Sequence, residues 1–246
     1  MRPTVLILAL IALVRIGPAL DAQPAADQVR MVGVDAAAQK FWPRWRGPSG
    51  QGLAADGAYV DSWSDKENVL WRARVPGRGH SSPIVWDDRI FLTTAYSDGR
   101  AAMLAFQRSD GKQLWEAIVP DRTPEYLHPK NSNASATATT DGTRIYGFFD
   151  NKGVMAVDFN GRVLWHRSLG RFDNYHGTAG SPLLYKDKLI LFQDHATGAF
   201  VTALNAADGK PLWRTPRRGS VGWSTPVALQ AFGHDATRAR GVDEKN

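Results

Sequence analysis

The 246-residue sequence contains no cysteine. This absence excludes disulfide bridges, thiol nucleophiles, cysteine-ligated metal sites and lipid attachment through an amino-terminal cysteine. Histidine is scarce as well, and none of the 6 histidines lies four residues from another, so the two-histidine motif of helical metal sites is missing. We therefore predict no metal site, and the stability of the fold must come from packing.

Sequence signals for nucleotide and nucleic-acid chemistry are also missing. The 30 basic and 24 acidic residues give a net charge of +6, but the basic residues are spread along the chain without a stripe or a recognition-helix pattern. The sequence lacks a Gly-x-Ser-x-Gly elbow, a phosphate-binding loop and a dinucleotide fingerprint. We expect no nucleic-acid binding, and the sequence assigns no catalytic or cofactor-binding residue.

One long apolar run stands at the amino end. It covers residues 5–14, follows Arg2 and is followed by Pro18. The run is too short to span a bilayer, and its flanks are those of a secretory signal. We expect residues 1–22 to be a signal peptide and the mature chain to be exported to the periplasm or the extracellular space without a membrane span. An uncleaved anchor is the alternative.

Internal repeats dominate what the sequence does contain. Residues 111–115, 161–165 and 209–213 read GKQLW, GRVLW and GKPLW, and residues 68–71 form a fainter relative, NVLW. The four closing tryptophans are 44, 50 and 48 residues apart, a period typical of propeller blades. We expect these residues to pack at the seams between blades as a structural docking motif: Trp71, Trp115, Trp165, Trp213, Gly111, Gly161 and Gly209.

A second marker recurs in phase with the first. Residues 81–83, 180–182 and 224–226 read SSP, GSP and STP, and ATA at 136–138 fills the remaining position. Each marker precedes an apolar run, a polar turn and another apolar run, which predicts a hairpin. Two further strands separated by a turn containing glycine complete each repeat, so the pattern indicates four-stranded antiparallel blades.

These motifs make the chain similar to the pyrroloquinoline-quinone-like (PQQ-like) β-propeller repeat proteins of the exported bacterial type. Residues 105–115 and 203–213 keep the spacing of the family's docking motif, Ala-x-Asp-x-x-Thr-Gly-Lys-x-x-Trp, and residues 156–165 are one residue shorter. The opening FWPRWRGP at 41–48 also resembles exported members, and the resemblance extends to about Val227. It implies an all-β propeller.

The resemblance leaves two functions open. The favoured one is a noncatalytic binding or scaffolding module that holds a protein partner or a small ligand at its loops, without a cofactor. The alternative is a fragment of a quinone-dependent alcohol or sugar dehydrogenase, in which PQQ and calcium would sit over the central channel. Many of those enzymes place a cysteine pair against the quinone, and this chain has none. We therefore favour a protein that is not an enzyme.

The repeats divide the chain into four parts. We expect a signal peptide at 1–22, an amino-terminal extension and lead-in at 23–67, propeller blades at 68–230 and an irregular tail at 231–246. The blades are 82–120, 135–170 and 180–216, with the start of a fourth at 223 and no second strand after it. Because the resemblance implies roughly six to eight blades, we expect an open arc of three to three and a half blades, a fragment of a ring with a bare last edge.

One set of residues is a candidate binding site. In a propeller, the residues just before each innermost strand lie at the mouth of the central channel. In register, these positions are His80, Ser135, Ala179 and Trp223, and His176 is close to them in sequence. We select His80, Ser135, His176 and Trp223 as candidates for the channel mouth. Further polar residues flank them: Arg78, His128, Asn131, Asn133 and Tyr175.

Overall fold

The chain forms antiparallel β-sheet. The structure is a computed structural model that describes residues 30–54, 56–123, 126, 128–218, 221–231 and 234–238, so the expected signal peptide lies outside the described residues. Two short 3-10 turns, Ala38–Lys40 and Asp150–Lys152, interrupt the sheets, and the described residues contain no α-helix. The all-β prediction is confirmed.

The strands form four sheets within the described residues. They are β1 (Arg30–Met31), β2 (Ile84–Trp86), β3 (Arg89–Ala95), β4 (Ala101–Gln107), β5 (Gln113–Ile118), β6 (Thr139–Thr140), β7 (Arg144–Phe148), β8 (Val154–Asp158), β9 (Val163–Arg167), β10 (Leu183–Tyr185), β11 (Lys188–Gln193), β12 (Phe200–Asn205), β13 (Pro211–Pro216), β14 (Val227–Ala231) and β15 (His234–Arg238). Blade 1 is β2-β3-β4-β5, blade 2 is β6-β7-β8-β9, and blade 3 is β10-β11-β12-β13. The fourth sheet has the order β1-β14-β15.

The fourth sheet differs from our expectation. We predicted an irregular tail at 231–246 and no second strand, yet β15 pairs antiparallel with β14 from Val227↔Arg238 to Ala231↔His234. The polar, mixed-charge sequence suggested a tail, but strand pairing uses backbone N–H and C=O groups, which every such residue supplies. The described residues thus form an incomplete propeller of three full blades and one partial sheet.

The docking motif contains the same β-bulge in each full blade. In each full blade the alanine of the motif lies opposite the tryptophan, as in Ala105↔Trp115. The register then shifts by one residue immediately after the alanine, in blades 1, 2 and 3 alike. Such a bulge increases the local twist of a strand pair. A small residue is needed here because a larger one would stand beside the indole within the sheet.

A tryptophan lies on a turn glycine at three junctions: between the lead-in and blade 1, between blades 1 and 2, and between blades 2 and 3. The indole N–H groups of Trp71, Trp115 and Trp165 donate to backbone carbonyls of the following blade at 2.8, 2.9 and 3.1 Å. A Cβ on each of three turn glycines would lie 2.7 Å or less from an indole carbon. The pairs are Gly111 with Trp71, Gly161 with Trp115, and Gly209 with Trp165. These residues are therefore part of the packing between blades.

The second sequence marker links the innermost strands. The Ser82 N–H donates to Thr137 Oγ1 at 3.0 Å, and the Thr137 N–H donates to Ser181 Oγ at 2.9 Å. The Ser181 N–H donates in turn to Thr225 Oγ1 at 3.0 Å. Every member of this relay comes from one of the four marker segments. The relay joins blades 1, 2 and 3 to the fourth sheet through the residues that precede their first strands.

The lead-in segment runs along the first strands of the sheets, on the edge that faces away from the second strands. Strand β1 pairs with β14 on the edge opposite β15, and the Val32 N–H donates to the Ala228 carbonyl at 2.9 Å. Farther along, Trp42 forms a bridge with Val85 of β2. The Thr140 N–H of β6 donates to the Pro43 carbonyl at 3.0 Å. Residues 30–43 thus connect the inner strands of blades 1 and 2 with the fourth sheet.

Within the ranges that the structure describes, no helix is long and apolar enough to cross a bilayer.

Candidate functional site

The connections between strands place one group of loops at one end of the arc. Because neighbouring strands are antiparallel, the chain enters the first strand and leaves the fourth strand of each blade at the same end. The connection between the second and third strands lies there too. We call this end the loop face. It carries all four sequence-selected mouth residues.

Hydrogen bonds bring three of these four residues together. His80 Nδ1 lies 3.3 Å from Ser135 Oγ, and the Ser135 hydroxyl donates to Asn131 Oδ1. The Asn131 amide donates to the carbonyl of His176 at 2.5 Å and to that of Thr178 at 3.4 Å. The contacts therefore cross from blade 1 to the loop that leads into blade 3.

Aromatic contacts extend the network to the fourth residue. The His176 ring lies 4.7 Å from the His128 ring and 6.0 Å from that of Trp223, centroid to centroid. The Trp223 indole N–H donates to the Gly177 carbonyl at 2.9 Å. Tyr175 contacts both histidines, with ring centroids 5.4 Å from His128 and 5.0 Å from His176. We call His80, His128, Asn131, Ser135, Tyr175, His176, Trp223 and Tyr126 the loop-face cluster.

The cluster presents aromatic surface to solvent. Tyr126 is 72% exposed, Tyr175 65% and Trp223 46%. The Tyr126 and Tyr175 rings are 6.3 Å apart, and their hydrogen bond raises the pKa of the Tyr126 hydroxyl. Exposed aromatic rings beside polar groups are common in binding surfaces, because they supply contact area at a low cost in side-chain entropy. The cluster can therefore contact a partner through both ring faces and hydrogen-bonding groups.

The 3-10 turn at Asp150–Lys152 holds the loop of Tyr175 and His176 in place. Asp150 Oδ2 accepts from the Thr178 N–H at 3.1 Å, and Asn151 Oδ1 accepts from the Phe172 N–H at 2.5 Å. Asp150 is buried and has a positive φ of 55°, an uncommon conformation for a residue other than glycine. The turn thus ties both ends of the loop to blade 2.

A buried polar group lies at the same end of blade 3. Asp194 is buried and accepts two hydrogen bonds from Arg217, at 2.7 and 3.2 Å. Neither ring nitrogen of the adjacent His195 has a partner among the described residues, and the same is true of Thr178 Oγ1 and Gln193 Nε2. Burial, followed by the charge of Arg214, lowers the pKa of His195. Sequence alone gave these two residues no role, since adjacent strand positions point to opposite faces.

The acidic and imidazole side chains of the described residues do not gather into a metal site. Among the described residues there is no group of three or more His, Asp or Glu side chains that could hold a metal ion. Three of the predicted docking tryptophans, Trp71, Trp115 and Trp165, contact glycines and carbonyls, whereas the fourth, Trp213, is 37% exposed. We therefore derive no chemical step through calcium or PQQ.

Comparison with known proteins identifies the family. Residues 49–177, more than half of the chain, match the model of the PQQ_2 family, described as outer membrane protein assembly factor BamB. The chain belongs to the PQQ-like repeat β-propeller family. The resemblance inferred from the repeats is confirmed.

One curated relative of this PQQ-like repeat chain is the outer membrane protein assembly factor BamB of Yersinia pestis. The two are 25% identical over 142 residues, which represent 56% of this chain and 34% of that protein. The matched part is therefore about a third of the length of the relative. The relative's whole-protein role is not transferred by this match.

The chain was also compared with solved structures. Quinohemoprotein alcohol dehydrogenase ADHIIG from Pseudomonas putida HK5 gives a TM-score of 0.52 at 19% identity, over 77% of this chain and 29% of that one. BamB from Moraxella catarrhalis gives a TM-score of 0.37 at 14% identity, over 65% of this chain and 60% of that one. The first similarity shows the fold and says nothing about activity.

Proposed function

We propose that the chain is an exported, noncatalytic binding module that holds a protein partner on its loop face. The contiguous loop-face cluster is the observation that carries this proposal. Two of its aromatic rings, those of Tyr175 and Trp223, are 65% and 46% exposed, yet the loops that bear them are held by hydrogen bonds to neighbouring segments. A rigid, exposed aromatic surface costs little ordering entropy when a partner binds.

Two further observations support the protein-binding proposal over an enzyme. The mouth of the arc holds imidazole, hydroxyl, amide and indole groups, and none of the polar contacts named for the cluster involves a carboxylate. The relative from Yersinia pestis is named an outer membrane protein assembly factor, a role that depends on other proteins. We extend that type of role to this chain as part of the proposal.

Site-specific photocrosslinking tests the proposal. A benzophenone amino acid is placed at Tyr175 or Trp223, and at Lys112 as the control. Lys112 is exposed in the turn between β4 and β5, at the opposite end of the blade. We expect defined protein adducts in envelope extracts from the first two positions and none from Lys112. Equal labelling at all three positions would contradict a partner site on the loop face.

A second measurement addresses the dehydrogenase alternative and export. Purified protein is titrated with PQQ and calcium while tryptophan fluorescence and dye reduction with alcohols are followed. We expect no saturable quinone binding, and a bound quinone with substrate-dependent reduction would overturn the noncatalytic proposal. Fusion of residues 1–30 to a reporter that is active only outside the cytoplasm tests export, and an inactive reporter would contradict it.

A further inference from the structure

A small polar pocket lies on the loop face, outside the loop-face cluster. Its volume is about 140 Å³. It exceeds the space of one water molecule, about 30 Å³ in the liquid, and is smaller than the ~300 Å³ of typical drug-sized sites. We call it the Lys152 pocket. The residues that line it are Asp121, Thr123, Asn151, Lys152, Ser168, Gly170 and Arg171.

Lys152 is a buried cation with few partners. The residue is 1% exposed, and its ammonium group donates to the Thr123 carbonyl at 2.6 Å. Among the described residues, no carboxylate oxygen forms an ion pair with the Lys152 nitrogen, that is, none lies within 4.0 Å of it. An ammonium group has three donors, and a buried charge is costly unless it is paired. The pocket therefore leaves donor capacity and positive charge unused beside a space that can hold a small group.

The other charges of the pocket do not cancel that of Lys152. Arg171 is exposed at the pocket and forms no ion pair with a described residue. Asp121 is the one carboxylate among the lining residues, and its Oδ1 accepts from the Thr123 N–H at 2.8 Å. That backbone hydrogen bond is the main reason why the pKa of Asp121 is lowered. Two cations and one ionised carboxylate leave the pocket with a net positive charge.

Hydrogen bonds hold the wall of the pocket that contains Asn151 and Lys152. The His166 Nε2–H donates to the carbonyl of Lys152 at 2.6 Å, and Asn151 Oδ1 accepts from the Phe172 N–H. The Gly153 N–H donates to the Asp150 carbonyl at 2.9 Å and closes the 3-10 turn. A ligand would therefore meet a preorganised site.

We infer that the Lys152 pocket binds a carboxylate. A singly charged anion would neutralise the net charge of the pocket, whereas a divalent phosphate would exceed that charge and be repelled more strongly by Asp121. The source of the carboxylate follows from the loops: Thr123 and Arg171 precede Tyr126 and Tyr175 by three and four residues. A partner peptide lying on these tyrosines could place a carboxylate in the pocket. This assignment to a peptide rests on the proposed function, while the carboxylate chemistry does not.

Titrations followed by NMR of backbone amides test the inference in the full chain. The probes are acetate, inorganic phosphate, N-acetylglycylglycine and its carboxy-terminal amide, each at constant ionic strength. We expect saturable shifts at Asn151, Ser168 and Gly170 with acetate and with the free peptide, and none with the amide. Saturation by acetate alone would overturn the peptide source, and tighter binding of phosphate than of acetate would overturn the carboxylate assignment.

Variants separate the pocket from general effects of charge. We expect Lys152→Met to weaken acetate binding at least tenfold and Arg171→Gln to weaken it severalfold, while Lys188→Met, on strand β11, leaves it unchanged. Arg171→Gln keeps the inference testable if Lys152→Met does not fold, because Arg171 is exposed. The inference would be overturned if Arg171→Gln left acetate binding unchanged and Lys152→Met also left it unchanged. It would be overturned as well if Arg171→Gln had no effect and Lys152→Met did not fold. Acetate binding without adducts at Tyr175 would keep the pocket and remove the proposed function.

Discussion

At the scale of single residues, the seams depend on glycines that can accept an indole. Gly161 has a φ of +84°, and a Cβ there would lie 2.7 Å from Trp115. Gly198 has a similar φ of +77° but nothing within 4 Å of a Cβ position. The two residues therefore share the conformational requirement for glycine, and only Gly161 has the packing requirement.

This pair leads to a prediction about stability. We expect Gly161→Ala to lower the free energy of unfolding by about 1–3 kcal/mol more than Gly198→Ala does, because the added methyl group must displace the indole. Urea unfolding monitored by circular dichroism measures both variants. Equal losses would mean that the left-handed backbone alone requires glycine at Gly161 and that the seam tolerates a larger residue.

His195 gives a prediction about pH. Burial lowers its pKa, so the unfolded chain binds a proton at a higher pH than the folded chain does. The stability of the fold should therefore decrease as the pH falls below about 6.5, by up to about 1.4 kcal/mol per pH unit from this group. His195→Phe removes the titrating ring and fits beside Phe172 and Phe200, which contact the imidazole.

The measurement compares urea unfolding at pH 7.5 and 5.5. We expect wild type to lose more free energy of unfolding than His195→Phe when the pH is lowered from 7.5 to 5.5. The exposed His80 provides the control variant, His80→Gln, which should leave the acid sensitivity of the wild type in place. Parallel pH profiles for wild type and His195→Phe would contradict the role of the buried imidazole.

The sequence identified the residues at the seams but not the buried Lys152 and His195. The Trp–Gly pairs were predictable because they recur three times at a fixed spacing, and a repeat exposes its own constraints. Lys152 and His195 are not part of a repeated motif, and their burial depends on loops that come from other parts of the chain. No local pattern distinguishes them from exposed lysine or histidine.

At the scale of structural elements, an ion pair fixes the ends of two strands in blade 3. Asp194 follows β11 and Arg217 follows β13, and the two side chains form a bidentate pair. The side chain of Asp194 is 2% exposed and that of Arg217 is 21% exposed. The Arg217 guanidinium also lies 5.3 Å from the Phe192 ring centroid. The pair therefore compensates a buried carboxylate.

We predict that Arg217→Met lowers the free energy of unfolding by about 3–5 kcal/mol, since it leaves the Asp194 charge buried without its partner. Arg72→Met provides the matched control, because the Arg72–Asp65 pair is exposed, with 63% and 85% of the side chains accessible. That change should cost less than about 1 kcal/mol. Denaturant titration measures both, and similar losses would contradict a structural role for the buried pair.

Elements were predicted well where hydrophobic runs and turn glycines coincide. The markers SSP, GSP and STP predicted the start of β2, β10 and β14. Their hydrogen-bond relay could not be predicted from the sequence, because in each bond the donor and the acceptor come from different sheets. Strand β15 was missed because its pairing is satisfied by backbone groups and leaves no hydrophobic pattern in the sequence.

At the scale of the whole molecule, the lead-in segment joins sheets that are far apart in sequence. Met31 pairs with Leu229, and the Arg30 side chain donates to Gln230 at 2.6 Å. The sequence indicated the repeats and hence the arc, but nothing local in residues 30–43 indicated that they run along the first strands of the sheets. Their partners are recognisable only after the blades have been placed side by side.

The importance of this segment can be measured by hydrogen exchange. We predict that a chain lacking residues 1–40 exchanges the amides of β14 severalfold faster, because one edge of that strand loses its partner. Strand β11, paired on both edges within blade 3, provides the internal control and should not change. Unaltered exchange in β14 would contradict a stabilising role for β1.

The pairing of β1 with β14 also sets an order of events during synthesis. Arg30 leaves the ribosome 200 residues before Gln230, its partner across the sheet. At a translation rate of about 5–20 residues per second, Gln230 is made roughly 10–40 s after Arg30, whereas the four strands of a blade are made close together in time. Strand β1 therefore stays unpaired until β14 is available, and the segment around Arg30 should remain susceptible to proteolysis until then.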